Sequence, residues 1–236
     1  MEAVLLDDAY APITSRIGFL RAPLDEAAEG LRAWRAEIHG SARAEPLAGG
    51  LPDALGRLEP LTGGVRPREL LVATADPGWT AVFDCGVQGG DQTTTVGFLA
   101  RRLMVQGVVV LSIPDRKASP GVPDRFGGRQ LELFAPIATD FLNYVRTVSV
   151  VRDQTRWRFD ANGTVQDFED EDAYRRRKVA DRFSPELLVA YAAALGLRPF
   201  DADFYPGPAV LVTNPATPPP GAAVVSLAEA RRATGL

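Results

Sequence analysis

One histidine, His39, and one cysteine, Cys85, stand in a chain of 236 residues. Those two counts decide most of the chemistry open to it. A Ser-His-Asp triad or a Cys-His dyad would have to use His39. That residue falls beside Gly40 at the end of an amphipathic stretch, with nothing like a nucleophile elbow around it. Its expected role is to meet free carbonyls at a helix C-terminus, or water. Structural zinc needs four nitrogen or sulfur ligands, so it is excluded by arithmetic, and iron–sulfur clusters held by four cysteines fail for the same reason. No cofactor and no metal are expected. Oxygen chemistry is left. With 30 acidic residues, carboxylates could serve acid–base work or hold a hard cation. The acidic stretch at 167–172 is where such a cation would be sought, although it lacks the spaced ligands and central glycine of an EF-hand loop.

Cys85 leads into the segment Gly86-Val87-Gln88-Gly89-Gly90-Asp91, followed by Thr93-Thr94-Thr95. A glycine-rich loop between a strand and a helix is the setting of a phosphate cradle. Here the pattern is neither GxGxxG nor GxxxxGK[ST], and no lysine is present to reach a phosphate. Asp91 would also occupy the positive end of the helix dipole. A tight turn is the expectation, with Gly86, Gly89 and Gly90 retained as candidate binding residues. Asp84 and Asp91 flank the loop and form the first carboxylate pair to consider if the chain is an enzyme. For Cys85, a small buried apolar role outweighs a reactive thiolate. Trp79, Trp157 and Tyr205 are candidate interface anchors, because aromatic rings supply contact area at low entropic cost. Core packing is the competing role for each.

The elements that must position these residues follow from periodicity. Leu24, Ala27, Ala28, Leu31, Trp34 and Ile38 recur at helical spacing, which predicts a helix over 24–38. Residues 41–67 are rich in Gly and Pro and read as a long irregular connection with one short helix near 53–58. Two strands, 70–74 and 79–84, are expected around the Asp76-Pro77-Gly78 turn. A helix over 92–106, N-capped by Asp91, and a strand over 108–113 complete a strand–helix–strand crossover against a sheet. Further strands are expected at 130–134, 144–152, 156–160 and 164–168, the last two joined by a turn at Ala161-Asn162-Gly163. Ser184-Pro185 opens a helix carrying Leu187, Leu188, Tyr191 and Leu195 inward. Residues 210–212 suit a final strand. Pro218-Pro219-Pro220 suits a stiff spacer, and Ser226 to Glu229 has the capping-box pattern of a terminal helix. The fold class is α+β: a mixed, largely antiparallel sheet with helices packed on one face and long Pro/Gly-rich loops. The division expected is an N-terminal helix and irregular lobe over 1–66 and an α+β core over 67–236, or one continuous domain.

Composition bounds the partners. Formal net charge is −4, whereas nucleic-acid binding draws on a basic surplus. The one basic run, Arg175-Arg176-Arg177-Lys178, follows Glu169-Asp170-Glu171-Asp172, so the two blocks should neutralise each other across helical turns. A lone cysteine fits a reducing compartment. The start of the chain is acidic where a signal peptide is basic, and no apolar run nears the roughly 20 residues of a membrane span. A soluble, cytoplasmic protein without nucleic-acid or membrane partners is expected.

Two stretches, 79–91 and 182–205, resemble segments of uncharacterised proteins of high-GC actinobacteria. The second holds Arg182-Phe183-Ser184-Pro185-Glu186-Leu187 and closes on Phe200-Asp201-Ala202-Asp203-Phe204-Tyr205. The resemblance implies a source and no mechanism. Scarcity of catalytic groups, acidic charge and long loops together favour a protein-binding module, such as an immunity-type protein or an accessory of a toxin or secretion system. The alternatives are a carboxylate-dependent enzyme, with or without Mg²⁺, acting on a small molecule, and a self-assembling structural protein.

Overall fold

A computed structural model describes residues 3–89 and 91–235. The helices are α1 (Leu24–His39), α2 (Leu51–Gly56), α3 (Gln92–Arg102), α4 (Pro185–Ala194) and α5 (Leu227–Ala233). The strands are β1 (Arg16–Leu20), β2 (Arg43–Leu47), β3 (Leu61–Thr62), β4 (Arg68–Ala73), β5 (Thr80–Asp84), β6 (Gly107–Ile113), β7 (Gly128–Phe134), β8 (Tyr144–Asp153), β9 (Arg156–Gly163), β10 (Ala209–Thr213) and β11 (Val224–Val225). Nine of them form one sheet in the order β2-β10-β4-β5-β1-β6-β7-β8-β9, antiparallel at every pairing. β3 and β11 pair separately. The class is α+β, as the sequence suggests.

Both faces of the sheet are apolar. On one, Leu20, Leu71, Val82 and Val109 meet the stripes of α1 and α3, including Ala27, Leu31, Trp34, Val96 and Leu99. On the other, Phe19, Leu70, Phe83 and Val110 are covered by α2, α4, α5 and the segments between them, through Leu55, Leu188, Tyr191 and Ala230. The two longest helices therefore share a face, and short elements close the other. None of the described helices is long and apolar enough to cross a membrane.

β1 lies between β5 and β6 and is antiparallel to both, so β5 and β6 run in the same direction. The β5–α3–β6 unit is thus a crossover that straddles a strand from the N-terminal part of the chain. Residues 1–66 also supply the edge strand β2, so they are woven into the same sheet as 67–236.

Several expectations need correcting. The Ala161-Asn162-Gly163 segment is strand, paired with Val148, Thr147 and Arg146, and the hairpin turns between Asp153 and Arg156 instead. Gln154 takes the left-handed conformation that this tight turn requires. Residues 164–168 form no strand. The 169–178 charge blocks lie on turns and a short 3-10 segment rather than an α-helix. α3 stops at Arg102, and α1 leaves Ile38 exposed. β1 and β2 lie in stretches where no strand was expected.

α3 is seated by two missing side chains. A Cβ on Gly18 of β1 would come within 2.6 Å of one Val96 methyl, and a Cβ on Gly107 of β6 within 2.6 Å of the other. Val96 fits into the hollow these glycines leave. α1 is tied in by Arg35, whose guanidinium meets buried Glu69 of β4 at 2.5 and 2.6 Å, while Thr95 of α3 donates to the same carboxylate at 3.1 Å. Gly18→Ala and Gly107→Ala should each cost about 1–3 kcal/mol by overpacking, lowering the melting temperature by about 2–4 °C per kcal/mol. Adding Val96→Ala to Gly18→Ala should recover part of that loss. Thermal unfolding followed by circular dichroism checks it, and unchanged melting in both single variants would refute the seat.

Candidate functional site

The glycine-rich loop is occupied by the protein itself. Asp84, buried at the end of β5, accepts the Gly86 amide at 2.7 Å and the Asp91 amide at 2.9 Å, and Arg66 lies 3.1 Å from its carboxylate. The anion in this cradle is Asp84. Burial nevertheless pushes its carboxyl pKa up, against the pull of Arg66 and the two amides. Asp91 stands at the N-cap position of α3, but its carboxylate accepts the Thr94 hydroxyl at 3.1 Å and caps no amide. Gly89 takes a left-handed φ of 95°, and a Cβ there would stand 3.1 Å from the Pro12 carbonyl oxygen. Gly90 lies outside the described residues.

The candidate anchors are scattered. Trp79 is buried in the core, and Tyr205 is buried with its hydroxyl donating to the Pro199 carbonyl at 2.7 Å. Trp157 is half-buried, with the Arg129 guanidinium 5.3 Å from its ring centre. Cys85 is buried on the face opposite α1, 3.4 Å from the Thr62 hydroxyl, and burial raises its thiol pKa. His39, at the end of α1, is on the other side of the sheet. In the acidic stretch, Glu169 binds buried Arg146, Asp172 binds Arg175, and Asp170 lies 3.8 Å from Arg176. Among the described residues no three His, Cys, Asp or Glu side chains gather as a metal site would require.

A different site is on the outer side of α3. A cleft of about 650 Å³ runs between that helix and the loop joining β7 to β8, within the size range of ligand pockets. Its walls are Phe98 and Met104 on one side, Ile137 and Leu142 on the other, and Phe134 and Tyr144 between. Phe98 is stacked on Trp34 with ring centres 4.1 Å apart. Asn143 fixes the loop by donating to the Gly97 and Ala135 carbonyls at 2.9 Å each. Phe141, on the far side of the loop, faces a second hollow of about 490 Å³.

Thr93 and Thr94 line one end of the cleft, and a buried polar cluster lies behind Thr93. Thr93 donates to Glu132 of β7 at 2.6 Å, Gln130 donates to the same carboxylate at 2.8 Å, and Arg16 approaches the Thr93 hydroxyl at 3.4 Å. Burial raises the Glu132 pKa, against the pull of Thr93 and Arg16. Burial also raises the Tyr144 phenol, with Glu132 and Asp91 adding to the effect. Nearby, Gln92 is fully buried with neither amide atom hydrogen-bonded, a cost of about 1–3 kcal/mol at this end of the helix.

Comparison with protein-family models, with curated proteins and with solved structures finds no match to this chain. The site is therefore read from its geometry alone. Sequence reasoning missed it because its residues are far apart along the chain. One signal was present: Ile137, Phe141 and Leu142 are large apolar residues in a connection between two strands, where polar residues are the norm.

The raised Glu132 pKa sets a pH dependence. The folded state holds this proton more tightly than the unfolded one, so Glu132 costs stability progressively as pH climbs through its folded pKa. Glu132→Gln keeps the shape and removes the charge. Its stability advantage over the parent should be absent below about pH 4 and grow towards neutrality. Urea unfolding across that range tests it, and a pH-independent difference would contradict the assignment.

Proposed function

We propose that the chain is a protein-binding module that receives an apolar segment of another protein in the cleft between α3 and the β7–β8 loop. Met104 and Leu142 carry this reading. Both are non-glycine residues in the left-handed region, with φ of 57° and 55°, and they are 63% and 60% exposed. Such a backbone costs an L-residue roughly 1–2 kcal/mol, and exposure returns nothing from burial. At Met104 the conformation ends α3, with the Val105 amide donating to the Ala100 carbonyl at 2.9 Å. Glycine usually fills such a position, and a large exposed apolar side chain there is what calls for a partner. Here two strained positions present their side chains to one cleft from opposite sides, with Phe98 and Ile137 exposed beside them. Burial under a partner would repay both costs.

An immunity-type protein or an accessory of a toxin or secretion system would use such a surface to hold its client. The lone cysteine suits a cytoplasmic setting. A second reading, an enzyme acting on a small molecule through a carboxylate, draws on Glu132 with its raised pKa beside Thr93 and Tyr144. It moves the expected acid away from Asp84, which is engaged by backbone amides.

Affinity purification from the native host should recover a stoichiometric protein partner. Met104→Asp with Leu142→Asp should cut its recovery at least tenfold, as loss of central apolar anchors does. Met104→Gly and Leu142→Gly should also weaken binding while leaving stability unchanged or about 1 kcal/mol higher, since the left-handed strain is relieved. Recovery that is blind to these substitutions would dismiss the cleft as the interface.

A further inference from the structure

The two ends of the sheet are finished differently. β2 closes one end with five residues, one of them Pro46, which removes a backbone donor. Proline and shortness are standard ways of blunting an edge. β9 closes the other end with eight residues and no proline. Among the described residues, no backbone hydrogen bond reaches 156–163 from any segment but β8. The segment near Val179–Asp181 packs against β9, held by Arg129 bonds to the Ala180 and Phe183 carbonyls, and makes no backbone hydrogen bond to it.

The side chains of β9 alternate. Arg156, Arg158, Asp160 and Asn162 stand exposed on one face, while Trp157, Phe159 and Ala161 turn inwards, half-buried. Charges on an edge usually discourage pairing. Here their order selects one pairing. A second copy related by a two-fold axis perpendicular to the sheet must pair residues of like parity, because the axis keeps each side chain on its own face. Centred on Arg158, Arg156 of each copy would face Asp160 of the other, but two guanidinium groups would meet on the axis. Centred on Asp160, two carboxylates would. Centred on Phe159, Arg158 of each copy faces Asp160 of the other, Arg156 faces Asn162, and Trp157 faces Ala161. Opposite charges directly across strands stabilise a pair, and like charges destabilise it. Among the described residues, Arg158 pairs with exposed Asp153 at 2.6 Å, and Asp160 accepts from Asn162 at 2.8 Å. Exposed contacts of this kind are weak and exchange readily.

We propose that β9 is a self-association edge: two copies of this chain pair antiparallel about Phe159, joining their nine-stranded sheets into one continuous sheet. The apolar cleft beside α3 takes no part in this contact, so the two surfaces can be tested separately.

Light scattering after size exclusion, at about 100 µM chain because dimer formation is concentration-dependent, should give twice the chain mass of 25.4 kDa. Arg158→Asp and Asp160→Arg should each give a monomer, since each places like charges across the axis. An equimolar mixture of those two variants should give a heterodimer, and the double variant R158D/D160R should self-associate again. Circular dichroism confirms that these exposed substitutions leave the fold intact. A parent chain that stays monomeric overturns the proposal. So does a dimer that survives both single reversals, or one lost through Met104→Asp, which would place self-contact at the cleft instead.

Discussion

Val96 resting in the hollow between Gly18 and Gly107 is the contact on which the candidate site depends. It lets α3 lie closer to the sheet than a Cβ on either strand would allow. From that height the helix reaches in three directions. Thr95 meets Glu69 and the α1 arginine, Thr93 meets Glu132, and the Gly97 carbonyl takes the Asn143 amide that holds the β7–β8 loop. A helix raised by even one methyl group would loosen all three contacts together. Interiors are packed too densely to absorb such a shift locally.

Under α3 the sheet presents three buried carboxylates on one face, and each is stabilised by a different device. Glu69 has a bidentate arginine, the strongest pairing open to a carboxylate. Asp84 has two loop amides and Arg66. Glu132 has a hydroxyl and a side-chain amide, with a cation only nearby. Satisfaction declines along that series, and the least satisfied of the three backs the polar end of the cleft. Buried charge is tolerable in proportion to its hydrogen bonds. Glu132 is therefore the group in this row most ready to respond to whatever enters.

Local patterns carried much of the fold into the sequence. The α1 stripe as far as Trp34, the Asp76-Pro77-Gly78 turn, the Ser184 cap and the Ser226 capping box are each decided within a few residues, and each is found where expected. Misreadings came where distant partners decide. β1 is short and ends on the apolar pair Phe19-Leu20, so nothing local marks it as the middle of a sheet. Ala161-Asn162-Gly163 has turn chemistry, yet β8 is long enough to pair along it. The site was less legible than the fold. Asp84, Gly86 and Gly89 were singled out for a loop that proves self-satisfied, while Phe98 falls off the buried stripe of its helix and Leu142 gains its meaning only from α3 across the gap.

The order of strands in the sheet also constrains how the chain is made. β2 has β10 as its sole neighbour, and one side of β4 waits for the same strand. While synthesis proceeds from the N-terminus, β1 is an orphan until β5 and β6 emerge, and β2 until residue 213 does. β1 thus gains its first partner when β5 is made, whereas β2 stays unpaired until β10 follows far later in the chain. The sheet can therefore be completed at its β2 end only once residues 209–213 are available to pair.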